Sequence, residues 1–311
     1  MNPSVTRRMF LRAGVVAAGW AALPRPAGAV EPFQRGGSAR LRLSVAAYSF
    51  RQYFKDVSHE REGHVDPARR IDLFRFVDFC AEQDCDGAEL TSYYFPPRVD
   101  AEFLIKLRRH AFLRGVEISG TAVGNTFTLP PGEKRDQEIA LVKRWIDHAT
   151  ILGAPHVRVF AGSVPRGMEK AEARRLCLAA LEECAEYAGH KGIFLGIENH
   201  GGLVAEAEDL LSIVRDVRSP WVGINLDTGN FRTDDPYADL ARCAPYAVNV
   251  QLKGEIRRRG GESEPANLDR LIQILRDARY QGYVAIEYES APDPWQAVPA
   301  LVRECRRLIR G

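Results

Sequence analysis

The chain has 311 residues, 45% hydrophobic and 27% charged, so it can bury a sizeable core and lacks the composition of a disordered or fibrous protein. Its formal net charge of +2 gives no strong field for nucleic acid or an acidic membrane, and its basic residues are spread along the chain. The composition therefore favours a globular protein with a small-molecule partner and no nucleic acid.

The first predicted element is an N-terminal targeting segment at residues 1–29. Arg7 and Arg8 precede an apolar stretch at 13–23, and residues 27–29 form a small-x-small cleavage site. About eleven apolar residues are too few to cross a bilayer, which needs roughly 20, so export is favoured over a membrane anchor. The segment resembles a twin-arginine export signal. It implies a mature chain of residues 30–311 that is periplasmic or otherwise exported and keeps no stable membrane span.

Eight short apolar runs follow, each typical of a buried strand. They lie at residues 41–48, 87–90, 116–123, 156–160, 193–198, 221–227, 247–253 and 283–287. Segments with helical spacing alternate with them, at residues 68–82, 102–113, 137–152, 170–188, 205–214, a short stretch after 236, 268–278 and 295–309.

This alternation predicts the α/β class and a single closed (β/α)₈ TIM barrel. Eight strands, each followed by a helix, extend over about 280 residues, and about 250 residues are typical of that fold. An open doubly wound sheet is the alternative. No G-x-G-x-x-G turn follows the first strand to support it.

Polar side chains stand at the ends of the last four strands. In the run 247–253, Val248, Val250 and Leu252 share one face of the strand, so the polar residues between them must point into the barrel. The same alternation turns one oxygen-bearing side chain inward at the carboxyl end of each of the fifth to eighth strands, where barrel enzymes have their active sites. These residues are Glu198, Asp227, Gln251 and Glu287.

Three carboxylates at one rim require positive charge between them. Like charges in a partly dry cavity repel one another, and burial adds to the cost. A divalent cation bound by the four side chains would supply that charge, and the repetition on four adjacent strands favours it. The alternative is an ion-pair cluster in which Lys253 and Arg158 neutralise part of the charge.

Four motifs at these strand ends resemble the xylose isomerase-like TIM barrel superfamily, which includes sugar isomerases, ketose 3-epimerases, inositol-pathway enzymes and related endonucleases. The motifs are GIENH (196–200), INLDTGN (224–230), VNVQLKGE (248–255) and VAIEYE (284–289), and the resemblance extends over nearly all of the mature chain. The family has Glu, Asp, His and Glu as metal ligands. The resemblance places these roles on Glu198, Asp227, Gln251 and Glu287.

Gln251 departs from the family pattern, which usually has histidine in a His-Leu-Lys-Asp stretch. An amide oxygen is a harder and weaker ligand than imidazole, so manganese, magnesium or calcium is favoured over zinc or cobalt, with looser binding. The departure also agrees with loss of the metal. In that case Gln251 would hydrogen-bond a ligand or a carboxylate, and the chain would be an exported saccharide-binding protein.

The resemblance implies a proton shuttle in which Glu198 and Glu287 serve as base and acid on opposite sides of a bound sugar. A metal ion would stabilise the enediolate that forms next to the carbonyl. The expected activity is that of a metal-dependent isomerase or epimerase acting on a keto sugar or an oxidised saccharide. A lyase or glycoside-cleaving enzyme acting on 3-keto-glycosides is a close alternative, since an enediolate can also expel a β-substituent.

Four further residues are candidate substrate contacts: His200, Lys253, Glu89 and Tyr93. Each also has a simpler interpretation: a loop cap for His200, an ion pair for Lys253, a salt bridge for Glu89 and lid packing for Tyr93. The aromatic ring of Tyr93, after the second strand, suits the C–H face of a sugar. Export argues against a phosphorylated sugar, and the oligomeric state is not predicted.

Overall fold

The structure is a computed structural model that describes residues 30–54 and 67–310. The predicted export signal at residues 1–29 lies outside the described residues. Eight parallel strands close into one barrel, and a helix lies between each strand and the next, so the predicted (β/α)₈ fold is confirmed. No helix among the residues that the structure describes is long and apolar enough to cross a bilayer.

The barrel strands match the predicted apolar runs to within two residues at almost every end. In chain order they are β1 (Arg40–Ala46), β2 (Gly87–Thr91), β3 (Glu117–Ala122), β4 (His156–Val159), β5 (Phe194–Glu198), β6 (Val222–Asp227), β7 (Ala247–Leu252) and β10 (Gln281–Ile286). Each strand pairs in parallel with its neighbours, and β10 closes the barrel between β7 and β1.

The eight α-helices of the described residues pack outside the strands. They are α1 (Leu73–Glu82), α2 (Ala101–Leu113), α3 (Glu133–Leu152), α4 (Lys170–Lys191), α5 (Ala207–Asp216), α6 (Pro236–Cys243), α7 (Leu268–Asp277) and α8 (Pro294–Arg310). The helix predicted from residue 68 begins only at Leu73. The carboxylate of Asp72 caps it there by accepting the N–H of Arg75, and Pro67–Arg69 form a separate 3₁₀ turn.

A small hairpin after β7 was not predicted. It consists of β8 (Glu255–Arg257) and β9 (Ser263–Pro265), which pair antiparallel. All three residues of β9 are exposed. The hairpin therefore lacks the apolar alternation from which the other strands were predicted.

Residues 30–39 close the amino end of the barrel. The Phe33 ring lies edge to face against Phe194, with ring centroids 5.8 Å apart, and the Phe33 N–H donates to the Pro245 carbonyl at 3.1 Å. A Cβ at Gly223 would lie 2.5 Å from Val248 Cγ1, 2.8 Å from the Tyr246 carbonyl oxygen and 3.0 Å from Cε2 of Phe33, so glycine is needed at this position. These contacts cover the amino ends of β5 and β7.

Candidate active site

The strand alternation brings the four predicted rim residues into the barrel interior. Glu198 ends β5, Asp227 ends β6, Gln251 lies near the end of β7, and Glu287 directly follows β10. All four are buried, and none is more than 6% exposed. A strand that is apolar on both sides thus ends in a carboxylate because that side chain points into the mouth of the barrel.

A closed ring of hydrogen bonds fixes Gln251 below that mouth. The Gln251 Nε2 donates to Glu89 Oε1 at 2.6 Å, and Asn249 Nδ2 donates to Glu89 Oε2 at 2.6 Å. Asn249 Nδ2 also donates to Asn225 Oδ1 at 2.8 Å, and Asn225 Nδ2 donates to Gln251 Oε1 at 2.6 Å. Since Glu89 only accepts when ionised, the amide nitrogens must face it, and the Gln251 oxygen must face Asn225.

Two members of this ring, Asn225 and Asn249, were not predicted as site residues. The sequence did contain the signal for them. Asn225 lies two residues before Asp227 and Asn249 two residues before Gln251, so strand alternation turns both asparagines into the barrel. Glu89 is fully buried in the ring and does not line the cavity above it. Glu89 contacts two amides in this arrangement, and its contact with substrate stays a prediction.

Lys253 supplies positive charge between two of the carboxylates. Its Nζ lies 3.3 Å from Asp227 Oδ2, 3.4 Å from Glu287 Oε2 and 2.5 Å from Glu289 Oε2. Asp227 Oδ2 makes no aligned hydrogen bond among the described residues, so this ion pair is its main compensation. The other Asp227 oxygen accepts the backbone N–H of Gly229 at 2.8 Å.

Arg158 supplies the charge opposite Glu198. Its Nε lies 2.9 Å from Glu198 Oε2 as an ion pair without the alignment of a hydrogen bond, and its guanidinium carbon lies 4.0 Å from the ring centroid of Phe160. The other Glu198 oxygen accepts from Asn230 Nδ2 at 2.8 Å. Asn230 was not predicted as a site residue, although it lies in the motif 224–230.

The oxygens of the four predicted ligands already have other partners in this arrangement. The Gln251 oxygen and both Glu198 oxygens have the partners described above. Only Asp227 and Glu287 direct oxygens toward a common point, and the Lys253 ammonium lies there. The ammonium occupies that point and would repel a divalent cation, so these side chains as placed do not fit such an ion. Within residues 30–54 and 67–310, no group of three or more His, Cys, Asp or Glu could hold a metal.

Burial raises the pKa values of the carboxyl groups at this end of the barrel. It raises the pKa of Glu89, Glu198 and Glu287 to about 7 each, and repulsion from the other carboxylates adds to the rise. Burial also raises the pKa of Asp227 to about 6. At neutral pH the cluster therefore holds protons, which acid–base chemistry requires of one partner in a proton-transfer pair.

The two basic groups respond differently to burial. Burial alone would lower the pKa of Lys253, but the carboxylates of Asp227, Glu287 and Glu289 outweigh it, and the pKa lies well above its usual value. Burial lowers the pKa of His200, and the charges of Arg158 and Lys253 lower it further. Lys253 is thus a permanent cation in the site, whereas the His200 ring is neutral.

A cavity of about 220 Å³ opens above these groups. Three of the four predicted substrate contacts line it: His200, Lys253 and Tyr93. Its full lining consists of Tyr48, Tyr93, Arg158, Phe160, Glu198, His200, Lys253, Glu287 and Glu289. Aromatic rings thus face a charged floor, an arrangement suited to a small polyhydroxylated molecule with apolar C–H faces.

Comparison with curated proteins finds relatives with isomerase names. The chain is 25% identical over 235 residues to the putative hydroxypyruvate isomerase of Homo sapiens, covering 67% of this chain and 81% of that protein. It is 22% identical over 229 residues to the 2-oxo-tetronate isomerase of Cupriavidus necator, covering 71% and 84%. In each case most of the relative is matched, so the likeness extends over the barrel.

Comparison with solved structures and family models agrees with the observed barrel. The structure of L-ribulose 3-epimerase superposes with a TM-score of 0.68 at 17% identity, covering 87% of this chain and 93% of that one. The IOLI protein, solved with a zinc atom bound, superposes with a TM-score of 0.66 at 15% identity, covering 86% and 96%. The family model of the xylose isomerase-like TIM barrel matches residues 77–305, and the chain belongs to that family.

Proposed function

We propose that the protein is an isomerase or epimerase that moves a proton at a carbon next to the carbonyl of a small keto sugar or oxidised saccharide. The observation that carries this proposal is that Glu198 and Glu287 line one cavity, both buried, each beside a different cation. The isomerase and epimerase names of the relatives support the same reaction class.

In the proposed step, one of the two glutamates is ionised and removes the proton from the carbon. The electron pair of the broken C–H bond moves into the carbonyl group and forms an enediolate. The other glutamate is protonated and returns a proton to the enediolate. Return to the opposite face of the same carbon restores the carbonyl and gives epimerisation. Return to the former carbonyl carbon gives isomerisation, in which the hydroxyl proton on the first carbon passes to the oxygen of the former carbonyl. A positioned carboxyl group of this kind contributes about 10²- to 10⁴-fold to the rate.

Lys253 has the role of stabilising the enediolate oxygen. Its ammonium lines the cavity and lies within 3.4 Å of Glu287, so a substrate oxygen bound beside that glutamate meets a fixed positive charge. The metal ion implied by the family resemblance is the alternative to this role. The proposal made here assigns the cationic role to Lys253, because its ammonium lies where the predicted ligands converge.

Proton exchange tests the acid–base pair directly. We expect the mature protein in D₂O to exchange a carbon-bound hydrogen of its keto-sugar substrate, observed by proton NMR. Glu198→Gln and Glu287→Gln should each lower the exchange rate at least about 10²-fold, because a neutral amide neither removes nor supplies the proton. Glu206→Gln, at a half-buried position that does not line the cavity, is the matched control.

Full exchange in both glutamine variants would refute the proton shuttle. Saccharide binding by the wild-type protein without exchange of any substrate proton would instead favour the non-catalytic saccharide-binding alternative.

Metal content tests the assignment of Lys253. After dialysis against manganese, magnesium and zinc and then against buffer, elemental analysis should give well under one metal ion per chain. Exchange activity should survive a chelator. Near-stoichiometric metal that Asp227→Asn abolishes would restore the predicted metal centre and remove Lys253 from the cationic role.

We also propose that the protein is exported by the twin-arginine route. The proposal rests on Arg7, Arg8 and the apolar stretch that follows them. Replacement of both arginines by lysine should leave the unprocessed chain in the cytoplasmic fraction, whereas the wild-type chain should be processed and recovered outside it. Equal processing of both chains would refute this route.

A further inference from the structure

A second cavity of about 390 Å³ adjoins the first. The two cavities share Phe160 and His200, whose rings lie with centroids 4.5 Å apart and form the boundary between them. The second cavity lies over the loops that follow β3 and β4. It is lined by Asn125, Thr126, Thr128, Leu129, Phe160, Gly162, Ser163, Pro165 and His200. The two cavities are therefore immediate neighbours at the same end of the barrel.

Hydrogen bonds between the two loops hold this second cavity in shape. Asn125 Nδ2 donates to the Phe160 carbonyl at 3.0 Å, and the Phe160 N–H donates to Asn125 Oδ1 at 2.9 Å. Thr128 Oγ1 donates to the Ser163 carbonyl at 2.7 Å. Gly162 has φ +103°, and a Cβ there would lie 2.3 Å from Thr126 Oγ1, so only glycine suits this position. The loops thus form a braced wall.

The lining of the second cavity differs chemically from that of the first. None of the described residues that line it is an acid, a lysine or an arginine, whereas five such residues line the first cavity. The lining combines the hydroxyl-bearing residues Thr126, Thr128 and Ser163 with the apolar side chains of Leu129 and Pro165. A charged ligand bound here would lose its water and gain no opposite charge from the lining, which costs free energy. The lining therefore favours a neutral ligand that carries hydroxyl groups and apolar faces.

The two cavities also differ in volume, and the difference indicates which part of a ligand each can hold. The first cavity, about 220 Å³, is below the range of about 300–1,000 Å³ that is typical of sites for larger ligands. It therefore suits the reacting unit alone. The second cavity, about 390 Å³, adds room for a further unit of at least the same size.

We infer that the second cavity is a binding subsite for a neutral sugar unit that is joined to the reacting keto sugar. The inference rests on the proposed function for the identity of the first unit. The substrate class is then a keto-disaccharide or another keto-glycoside with a polar, uncharged second unit. Free three-carbon or monosaccharide substrates would leave the second cavity without a ligand.

Substitutions that fill the second cavity test this inference. Ser163→Trp and Leu129→Trp each place a large ring in it from a side chain that does not line the first cavity. Arg166→Trp is the matched control, because Arg166 is exposed on the same loop and lines neither cavity. The substrates are 3-keto-glucose and 3-keto-cellobiose, compared by kcat/KM for proton exchange in D₂O.

The wild-type protein and Arg166→Trp should prefer 3-keto-cellobiose to 3-keto-glucose by about tenfold or more. Both filling variants should lose that preference. Equal kcat/KM for the two substrates in the wild type, or an unchanged preference in both filling variants, would overturn the subsite while leaving the proposed function intact.

Direct binding separates this inference from the proposed reaction. Calorimetric titration with cellobiose and with glucose needs no turnover. Tighter binding of cellobiose that Ser163→Trp abolishes and Glu287→Gln retains would support the subsite even if no proton exchange occurs, in which case only the proposed function fails. Equal binding of both sugars by the wild type would overturn the subsite.

Discussion

The Lys253 ammonium offsets the negative charge of two buried carboxylates, Asp227 at the end of β6 and Glu287 after β10. Lys253→Met keeps most of the stem and removes the charge. We expect kcat for proton exchange to fall by about 10²- to 10³-fold, because the enediolate loses its fixed cation. KM should change less. Steady-state kinetics measured together with the melting temperature separate this loss from unfolding, and wild-type kcat in Lys253→Met would remove Lys253 from the mechanism.

His156 makes folding depend on pH in a way that one variant can isolate. Its ring lies over Gly120, where a Cβ would be 2.0 Å from the imidazole Cε1, and burial lowers its pKa to about 3. The unfolded chain takes up this proton near pH 6.5 and the folded chain does not. The stability contributed by the neutral ring is therefore complete above about pH 6.5 and is lost as pH falls toward 3.

We therefore expect His156→Leu to gain stability relative to the wild type as the solution is acidified. Between pH 7 and pH 5 the difference in unfolding free energy should move by about 2 kcal/mol in favour of the variant. Denaturant unfolding at the two pH values measures it. A difference that does not change with pH would mean that the folded chain protonates His156, with Glu89, 4.0 Å away, as its counter-ion.

The sequence predicted which side chains meet at the carboxyl rim but not how each of them is oriented there. Strand alternation was sufficient to place Glu198, Asp227 and Glu287 at one rim, because it depends only on sequence spacing. The direction of the Gln251 amide was not predictable, since it depends on Glu89, 162 residues earlier in the chain.

At the scale of elements, the loops after β3 and β4 depend on one side chain. Asn125 bonds both the N–H and the carbonyl of Phe160. Asn125→Ala leaves both backbone groups without that partner, so we expect a loss of about 1–3 kcal/mol in unfolding free energy. Asn125→Asp, which still accepts from the N–H, should lose less. Thermal and denaturant unfolding measure both variants, and equal stability of Asn125→Ala and the wild type would contradict this bridging role.

The strands and helices were predicted accurately where burial leaves a pattern in the sequence. The barrel strands are buried on both faces or alternate in polarity, so their apolar runs predicted the strand boundaries closely. The hairpin of β8 and β9 lacks that signal because only Ile256 of its six strand residues is buried. The start of α1 was predicted too early because Pro67–Arg69 also favour a helical turn, and the Asp72 cap decides the boundary.

For the whole molecule, the two ends of the barrel have separate roles. Phe33 and its neighbours close the amino end, and the charged cavity occupies the carboxyl end. The composition predicted a globular protein, but not that a segment before β1 would form this closure. The Phe33 contacts with Phe194 and Pro245 join parts of the chain more than 150 residues apart, which no local pattern reveals.

The carboxyl groups at the mouth of the barrel make unfolding an acid-releasing reaction. Glu198 and Glu287, with pKa values of about 7, hold protons that the unfolded chain gives up above about pH 4–5. Their contribution to stability is complete below that pH and is lost as pH rises through 7. Calorimetric unfolding enthalpies at pH 7, plotted against the ionisation enthalpies of phosphate, imidazole and Tris buffers, should have a slope of about one to two protons released per molecule. A slope of zero would mean that these groups are fully ionised in the folded protein. With the expected slope, the heat measured on unfolding contains a contribution from whichever buffer accepts the protons.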